Sequence, residues 1–215
     1  MVVSVVNQKG GSGKSTIACH LAAMNAVEGK KTMLFDLDSQ GSSIGFRDQR
    51  PEDRPQFAAN TLLKPTLYRD ITAYENFDEI IVDAGGRDSV LFRSAILPAD
   101  LIVIPVEPGI FDFWALEDTL QVVDEIRAQT GKEYRAIIVY NKVTAGSNIS
   151  IAAKNKIEEI AQKHNVMIAK SQLCHRVGYG EAILKGLSVT ECNGNNYNSP
   201  KVEMKSLFAE IYEKE

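Results

Sequence analysis

Six short stretches, most of them continuously apolar and rich in β-branched residues, punctuate the chain: Val2–Val6, Met33–Phe35, Ile80–Val82, Leu101–Val106, Ala136–Tyr140 and Met167–Leu173. Strands covered on both faces read as unbroken apolar runs rather than as an alternation, so these stretches predict strands of a buried parallel sheet. Lys14–Glu28, Ser89–Leu97, Trp114–Thr130 and Asn148–His164 have helical length, and in Trp114–Thr130 the residues Trp114, Leu116, Leu120, Val123 and Ile126 return at roughly helical intervals. Strand and helix in alternation predict an α/β fold, a doubly wound, mostly parallel sheet flanked by helices. Arg47–Pro55 and Glu191–Pro200 read as exposed loops. No Gly/Ser/Pro linker, low-complexity block or repeat divides the sequence, so residues 1–215 are expected to form one domain.

Composition narrows the class further. Apolar residues make up 44% and charged residues 24% of the 215 positions, which excludes a disordered chain, a collagen-like fibre and a disulfide-stapled miniprotein. Cys19, Cys174 and Cys192 are odd in number and far apart, with no C-x-x-C pair for zinc or an iron–sulfur cluster, and a reducing cytosolic setting fits them. The longest apolar runs are about six residues, against the roughly 18 that suggest a membrane span. The apolar start lacks the preceding basic stretch and the cleavage site of a signal peptide. Charge is unevenly spread: residues 1–130 carry 12 Lys and Arg against 19 Asp and Glu, whereas residues 131–205 carry 11 against 6. A late positive stretch suits either a polyanion-facing surface or an ordinary solvated face.

The chemistry lies between the first strand and the first helix, in Lys9-Gly10-Gly11-Ser12-Gly13-Lys14-Ser15-Thr16. A phosphate chain needs backbone N–H groups turned inward, which glycines permit, and the helix N-terminus adds its positive dipole. Lys14 is placed to meet the β- and γ-phosphates, and the Ser15 hydroxyl to ligate Mg²⁺. Asp36 and Asp83 stand at the ends of the second and third apolar runs, where a carboxylate either faces the loop and its cation or caps a turn.

The standard loop G-x-x-x-x-G-K-[ST] has glycine where this chain has Gln8. The K-G-G-x-G-K-[ST] form instead resembles the deviant Walker A P-loop of the ParA/MinD family of ATPases. Asp36-Leu37-Asp38-Ser39-Gln40-Gly41 is similar to that family's first switch, and Asp83-Ala84-Gly85-Gly86 to its Walker B and second switch, without the proline frequent there. Leu101–Pro108 and Asp112–Leu116 look like the family's fifth strand and the helix that it feeds. The resemblance covers residues 1 to about 145 well and the remainder loosely.

The resemblance implies a ParA-type P-loop ATPase that uses ATP and Mg²⁺, with Lys9–Thr16 cradling the nucleotide, Ser15, Asp36 and Asp83 around the metal, and Asp38 orienting the attacking water. Asn141 stands where the family contacts the base, although an asparagine after a strand also suits a turn. Lys9 is implied to cross a dimer interface to the partner's nucleotide, giving an ATP-dependent homodimer. Also implied are slow hydrolysis stimulated by a ParB-like or cargo-adaptor protein, and DNA binding without sequence preference, with Arg176, Lys185, Lys201 and Lys205 as contacts. Such a protein is cytoplasmic, and nucleoid-associated when ATP-bound; its cargo is a plasmid, a chromosome or a protein assembly.

Other members of the wider group fit less well. The electron carriers need cluster-binding cysteines that do not occur between Asp83 and Cys174. The membrane-cycling types end in a basic amphipathic helix, whereas Val202–Glu215 has two lysines against four glutamates, and Leu207, Phe208, Ile211 and Tyr212 form a stripe suited to packing on the sheet; no membrane binding is expected. With the loop starting at Lys9, no helix-turn-helix domain is expected before it. An ATP-dependent small-molecule synthetase or ligase remains the alternative, against which the D-x-D-x-Q-G segment speaks.

Overall fold

The computed structural model describes residues 1–86, 90–146 and 148–212. Arg87 and Ser89, the latter the first residue of one predicted helix, lie outside them. Within these residues the strands are β1 (Val2–Val5), β2 (Thr32–Asp36), β3 (Ala58–Thr61), β4 (Glu79–Asp83), β5 (Leu101–Val106), β6 (Arg135–Val143) and β7 (Met167–Cys174). The helices are α1 (Lys14–Val27), α2 (Ser42–Asp48), α3 (Leu67–Asp70), α4 (Val90–Ile96), α5 (Ile110–Thr130), α6 (Ile151–Lys163), α7 (Val177–Leu184) and α8 (Asn195–Tyr212).

The strands form one parallel sheet in the order β3-β2-β4-β1-β5-β6-β7. It is the doubly wound architecture that the apolar runs predict. All six residues of β5 are buried, as a central strand with helices on both faces requires. One apolar cluster packs α4, α5 and α6 against one face, through residues such as Phe92, Leu120 and Ile157, and a second packs α1, α7 and α8 against the other, through Leu21, Tyr179 and Leu207. The register sets Asp36 beside Asp83 at the C-terminal ends of neighbouring strands, at the same edge as the loop leaving β1.

Five features depart from the sequence expectations. β3 is an edge strand, AANT, half to fully exposed, and carries no apolar run. α2 occupies the start of the segment read as a loop, α7 forms despite Gly178 and Gly180, and α5 starts at Ile110, before Trp114. The expected loop Glu191–Pro200 is helical from Asn195, with Pro200 inside α8. Pro200 is buried there against Gly178, where a Cβ would approach the Asn196 carbonyl oxygen to 2.5 Å, so α7 packs closely on the first turns of α8 around the proline.

The stripe Leu207, Phe208, Ile211 does pack on the sheet, and the acidic residues beside it have structural work. β7 is an edge strand whose free amides are covered by carboxylates of α8: Glu210 accepts from the Lys170 and Ser171 N–H groups at 2.8 and 2.6 Å, and Glu203 from Cys174 N–H at 3.1 Å. Arg50, buried after α2, ties that side to the C-terminal part. Its guanidinium meets Glu191 in a bidentate pair at 2.9 and 3.0 Å and also donates to the Pro55 and Gly186 carbonyls. No helix among the described residues is long and apolar enough to cross a membrane.

Candidate functional site

β1 ends at Val5, and the chain turns through Asn7–Gly13 before α1 starts at Lys14. Gly11 and Gly13 take positive φ of 74° and 96°, and Gly13, at the N-cap of α1, has no space for a Cβ because the Asn141 carboxamide occupies it. That carboxamide donates to the Ser12 carbonyl at 2.7 Å, and Lys142, itself at φ 53°, donates to the Gly11 carbonyl. The loop is thus held from β6, while Asn7 anchors its start by donating to the Pro105 carbonyl and accepting from Lys9 N–H, both at 2.8 Å.

The loop rims a cleft of about 1050 Å³ shared with Asp38, Ser39, Gln40, Gly85 and Gly86. Lys14 is buried beside it and donates to the Lys9 carbonyl at 3.0 Å. Burial lowers its pKa, and the charges of Asp83 and Asp38 oppose that shift. Gly86 closes the far side: a Cβ there would sit 3.3 Å from Lys14 Nζ and 3.4 Å from the Gly10 backbone.

The two strand-end aspartates divide their tasks. Both oxygens of the buried Asp36 accept from backbone amides, Asp38 N–H at 3.0 Å and Ser43 N–H at 2.8 Å, so Asp36 holds the switch-like segment on α2. Asp83 accepts from the Ser43 hydroxyl through one oxygen, and its other, Oδ1, is buried without a hydrogen-bond partner among the described residues. Burial pushes Asp83 up to about 6, against the pull of Ser43, Ser15 and Lys14. A buried carboxylate oxygen without a donor, beside the Ser15 hydroxyl and under a glycine loop, fits an oxygen-seeking divalent cation with its phosphates. Asp38 is half-buried on the cleft, with Oδ1 tied to Gln40 N–H at 3.0 Å.

Lys9, in contrast to Lys14, points away from the cleft. Its Nζ lies 2.7 Å from Asp112 Oδ2 on the first turn of α5, a pairing across 103 residues that the sequence did not suggest. Ser43 and Lys142 also escaped the sequence reading, since neither belongs to a recognised pattern. A second cavity, about 450 Å³, opens behind the loop between Thr16, Asn141 and α7, lined by Leu173, Val177 and Tyr179, with Arg176 at its edge.

The four candidate DNA contacts do not share one environment. Arg176 stands just before α7 and is paired with Glu203 at 2.7 Å, beside the second cavity. Lys185 is exposed and donates to the Tyr197 hydroxyl at 2.8 Å. It and Lys201 both act on the buried Cys192, as does Arg54, which the sequence reading left out, and Lys205 follows Lys201 by one turn of α8. Arg54, Lys185 and Lys201 thus lie near one another with Glu191 among them, while Arg176 is engaged elsewhere.

Comparison with known proteins agrees with this geometry. The CbiA family model, described as the CobQ/CobB/MinD/ParA nucleotide binding domain, matches residues 3–189. The maintenance of carboxysome distribution protein A of Halothiobacillus neapolitanus is 27% identical over 218 residues, covering 97% of this chain and 95% of that one. The chromosome-partitioning ATPase Soj of Thermus thermophilus is 29% identical over 164 residues, 63% of this chain and 66% of that protein. A solved ATP complex of a Cyanothece McdA variant superposes with a TM-score of 0.75 at 15% identity, covering 97% and 95% of the two chains, a likeness of fold.

Proposed function

Because the chain belongs to the CobQ/CobB/MinD/ParA nucleotide binding domain family, we propose that it is a positioning ATPase of the ParA type, which binds ATP·Mg²⁺, dimerises on it and holds DNA without sequence preference while a partner protein triggers hydrolysis. The observation that carries this reading is the separate orientation of the two loop lysines: Lys14 beside the cleft, and Lys9 turned away from it onto Asp112 with part of its side chain in solvent. One lysine neutralises the phosphates within the protomer, and the other is left for a neighbouring copy.

In this reading the amides of Gly10–Ser15 and the Lys14 ammonium hold the phosphates, and Thr16 lies at the start of the helix beneath them. Ser15 and Asp83 hold Mg²⁺, which supplies charge neutralisation at the transferring phosphoryl group, while Asp36 keeps the surrounding segment in shape. Asp38 orients the attacking water, and the cavity behind Asn141 takes the base. Lys185, Lys201, Lys205 and Arg54 contribute the DNA-facing charge, whereas Arg176 has its charge engaged by Glu203. The relatives named for carboxysome distribution and chromosome partitioning support a cargo-positioning role; in this reading an adaptor on the cargo stimulates turnover.

The test is a pair of titrations. Light scattering is expected to show a monomer without nucleotide and a dimer with a non-hydrolysable ATP analogue, and Lys14→Ala to abolish the change. With the analogue, DNA binding is expected at 50 mM salt, indifferent to sequence and weaker by about three orders of magnitude at 200 mM, as roughly six released counterions require. A protein that stays monomeric, ignores DNA and turns over ATP only with a small acceptor is the synthetase instead.

A further inference from the structure

Residue 9 is held at both its backbone and its side chain. Its carbonyl accepts from Lys14 Nζ at 3.0 Å, and its own Nζ meets Asp112 Oδ2 at 2.7 Å. The Asp112 side chain is only 5% exposed and Oδ1 has no hydrogen-bond partner among the described residues, so the charge is committed to one partner. Lys9 keeps 35% of its side chain exposed. Asp112 lies at the third position of α5, where an acid commonly reaches back to the N-cap amide, yet no side-chain bond of that kind forms here. The same helix grips the loop again, since Thr119 accepts from Gln8 N–H at 3.1 Å and the Asp118 carbonyl from Gln8 Nε2 at 3.3 Å. Gly109 makes room for the arrangement: a Cβ there would lie 3.0 Å from Asp112 Oδ2, the oxygen that Lys9 uses.

We propose that Asp112 is a latch for Lys9: within one protomer it holds the ammonium in place, and it sets how readily a second copy of the chain captures that lysine. The proposal rests on the ATP-dependent dimer described above. Phosphates that engage Lys14 draw its Nζ off the Lys9 carbonyl, so nucleotide loosens residue 9 at the backbone while Asp112 still restrains the side chain. Capture by a second copy then breaks one partly exposed ion pair in each protomer and leaves a buried carboxylate behind. Each such pair corresponds to at least about threefold in an equilibrium constant, and two of them to at least about tenfold in the dimer dissociation constant, the stranded carboxylates adding to it.

Two variants disturb the latch by different routes. Asp112→Asn removes the charge, whereas Gly109→Ala keeps it and crowds the accepting oxygen at a residue whose extended backbone, φ −125°, tolerates alanine. Reductive methylation of nucleotide-free protein, read by mass spectrometry, is expected to modify Lys9 several-fold faster in both variants than in wild type. Sedimentation with a non-hydrolysable ATP analogue is expected to give dimers at a protein concentration at least about tenfold lower. Equal Lys9 reactivity, or faster Lys9 modification with unchanged or weaker dimerisation, overturns the latch while a wild-type dimer preserves the functional reading. A wild-type protein that remains monomeric with the analogue at every concentration overturns both.

Discussion

At neutral pH the nucleotide-free protein carries a carboxylate where its surroundings oppose one. Asp83 is buried, faces the Asp36 carboxylate, and receives only partial relief from the Ser43 and Ser15 hydroxyls and the Lys14 ammonium. Its folded pKa is about 6 against an ordinary 3.8. The folded state therefore holds its proton more tightly than the unfolded chain does, and stability falls as pH rises from about 4 through about 6, then stays level. A gap of roughly two units at 1.36 kcal/mol each makes this loss about 3 kcal/mol. Asp83→Asn keeps the shape and an acceptor for Ser43 but has no charge to bury. Urea denaturation without nucleotide is expected to find the variant equal to wild type near pH 4 and more stable by about 3 kcal/mol at pH 7.5, while calorimetry shows its Mg²⁺-dependent ATP binding lost. Each comparison is made at a single pH, because His20 titrates with the opposite slope and cancels between the two proteins. A variant less stable than wild type at pH 7.5, or a difference that does not change with pH, refutes the reasoning.

His20 is buried, its Nδ1–H donates to the Thr16 carbonyl at 2.7 Å, and desolvation lowers its pKa to about 4. Its contribution is complete above pH 6.5 and lost as pH falls towards 4, so His20→Gln should flatten the acid limb of the stability curve by up to about 3 kcal/mol. Asp38→Ala is expected to keep ATP affinity yet lower single-turnover hydrolysis at least a hundredfold in quench-flow; an unchanged rate removes Asp38 from the mechanism. Glu191→Ala strands the buried Arg50 guanidinium and should cost about 3–5 kcal/mol in chemical denaturation, with Arg50→Met in the same chain recovering most of it. A loss below about 1 kcal/mol would show that water solvates Arg50 in the variant.

Much of the site was legible because it is local. Lys9–Thr16 is one contiguous segment, and Asp36 and Asp83 end apolar runs whose neighbouring places in a parallel sheet bring them together. β5 was readable to the residue because a strand buried on both faces has no polar position to blur it. β3 was not, since an exposed edge of small and polar residues leaves no periodic signal. α7 and the first turn of α8 were hidden by Gly178 and Pro200, which read as breakers singly and make sense only as a contacting pair. The Lys9–Asp112 and Arg50–Glu191 pairs join positions 103 and 141 residues apart, and no spacing rule links such positions. Among the basic candidates, Arg176 shows what a charge count misses: a positive residue in a positive stretch already neutralised by Glu203.

The place of β1 has a consequence for the order in which the protein is made. Val2 pairs with Ile80 on one side and Val3 with Leu101 on the other, so the strand that launches the phosphate loop lacks its full pair of sheet neighbours until about a hundred further residues have been synthesised. At about 5–20 residues per second that is a wait of roughly 5–20 seconds. Throughout it, the glycine loop lacks at least one of its flanking strands and the Pro105 carbonyl that anchors Asn7. Nucleotide cannot act as a template for the nascent chain, and a ribosome-bound fragment ending near residue 90 should show no affinity for ATP.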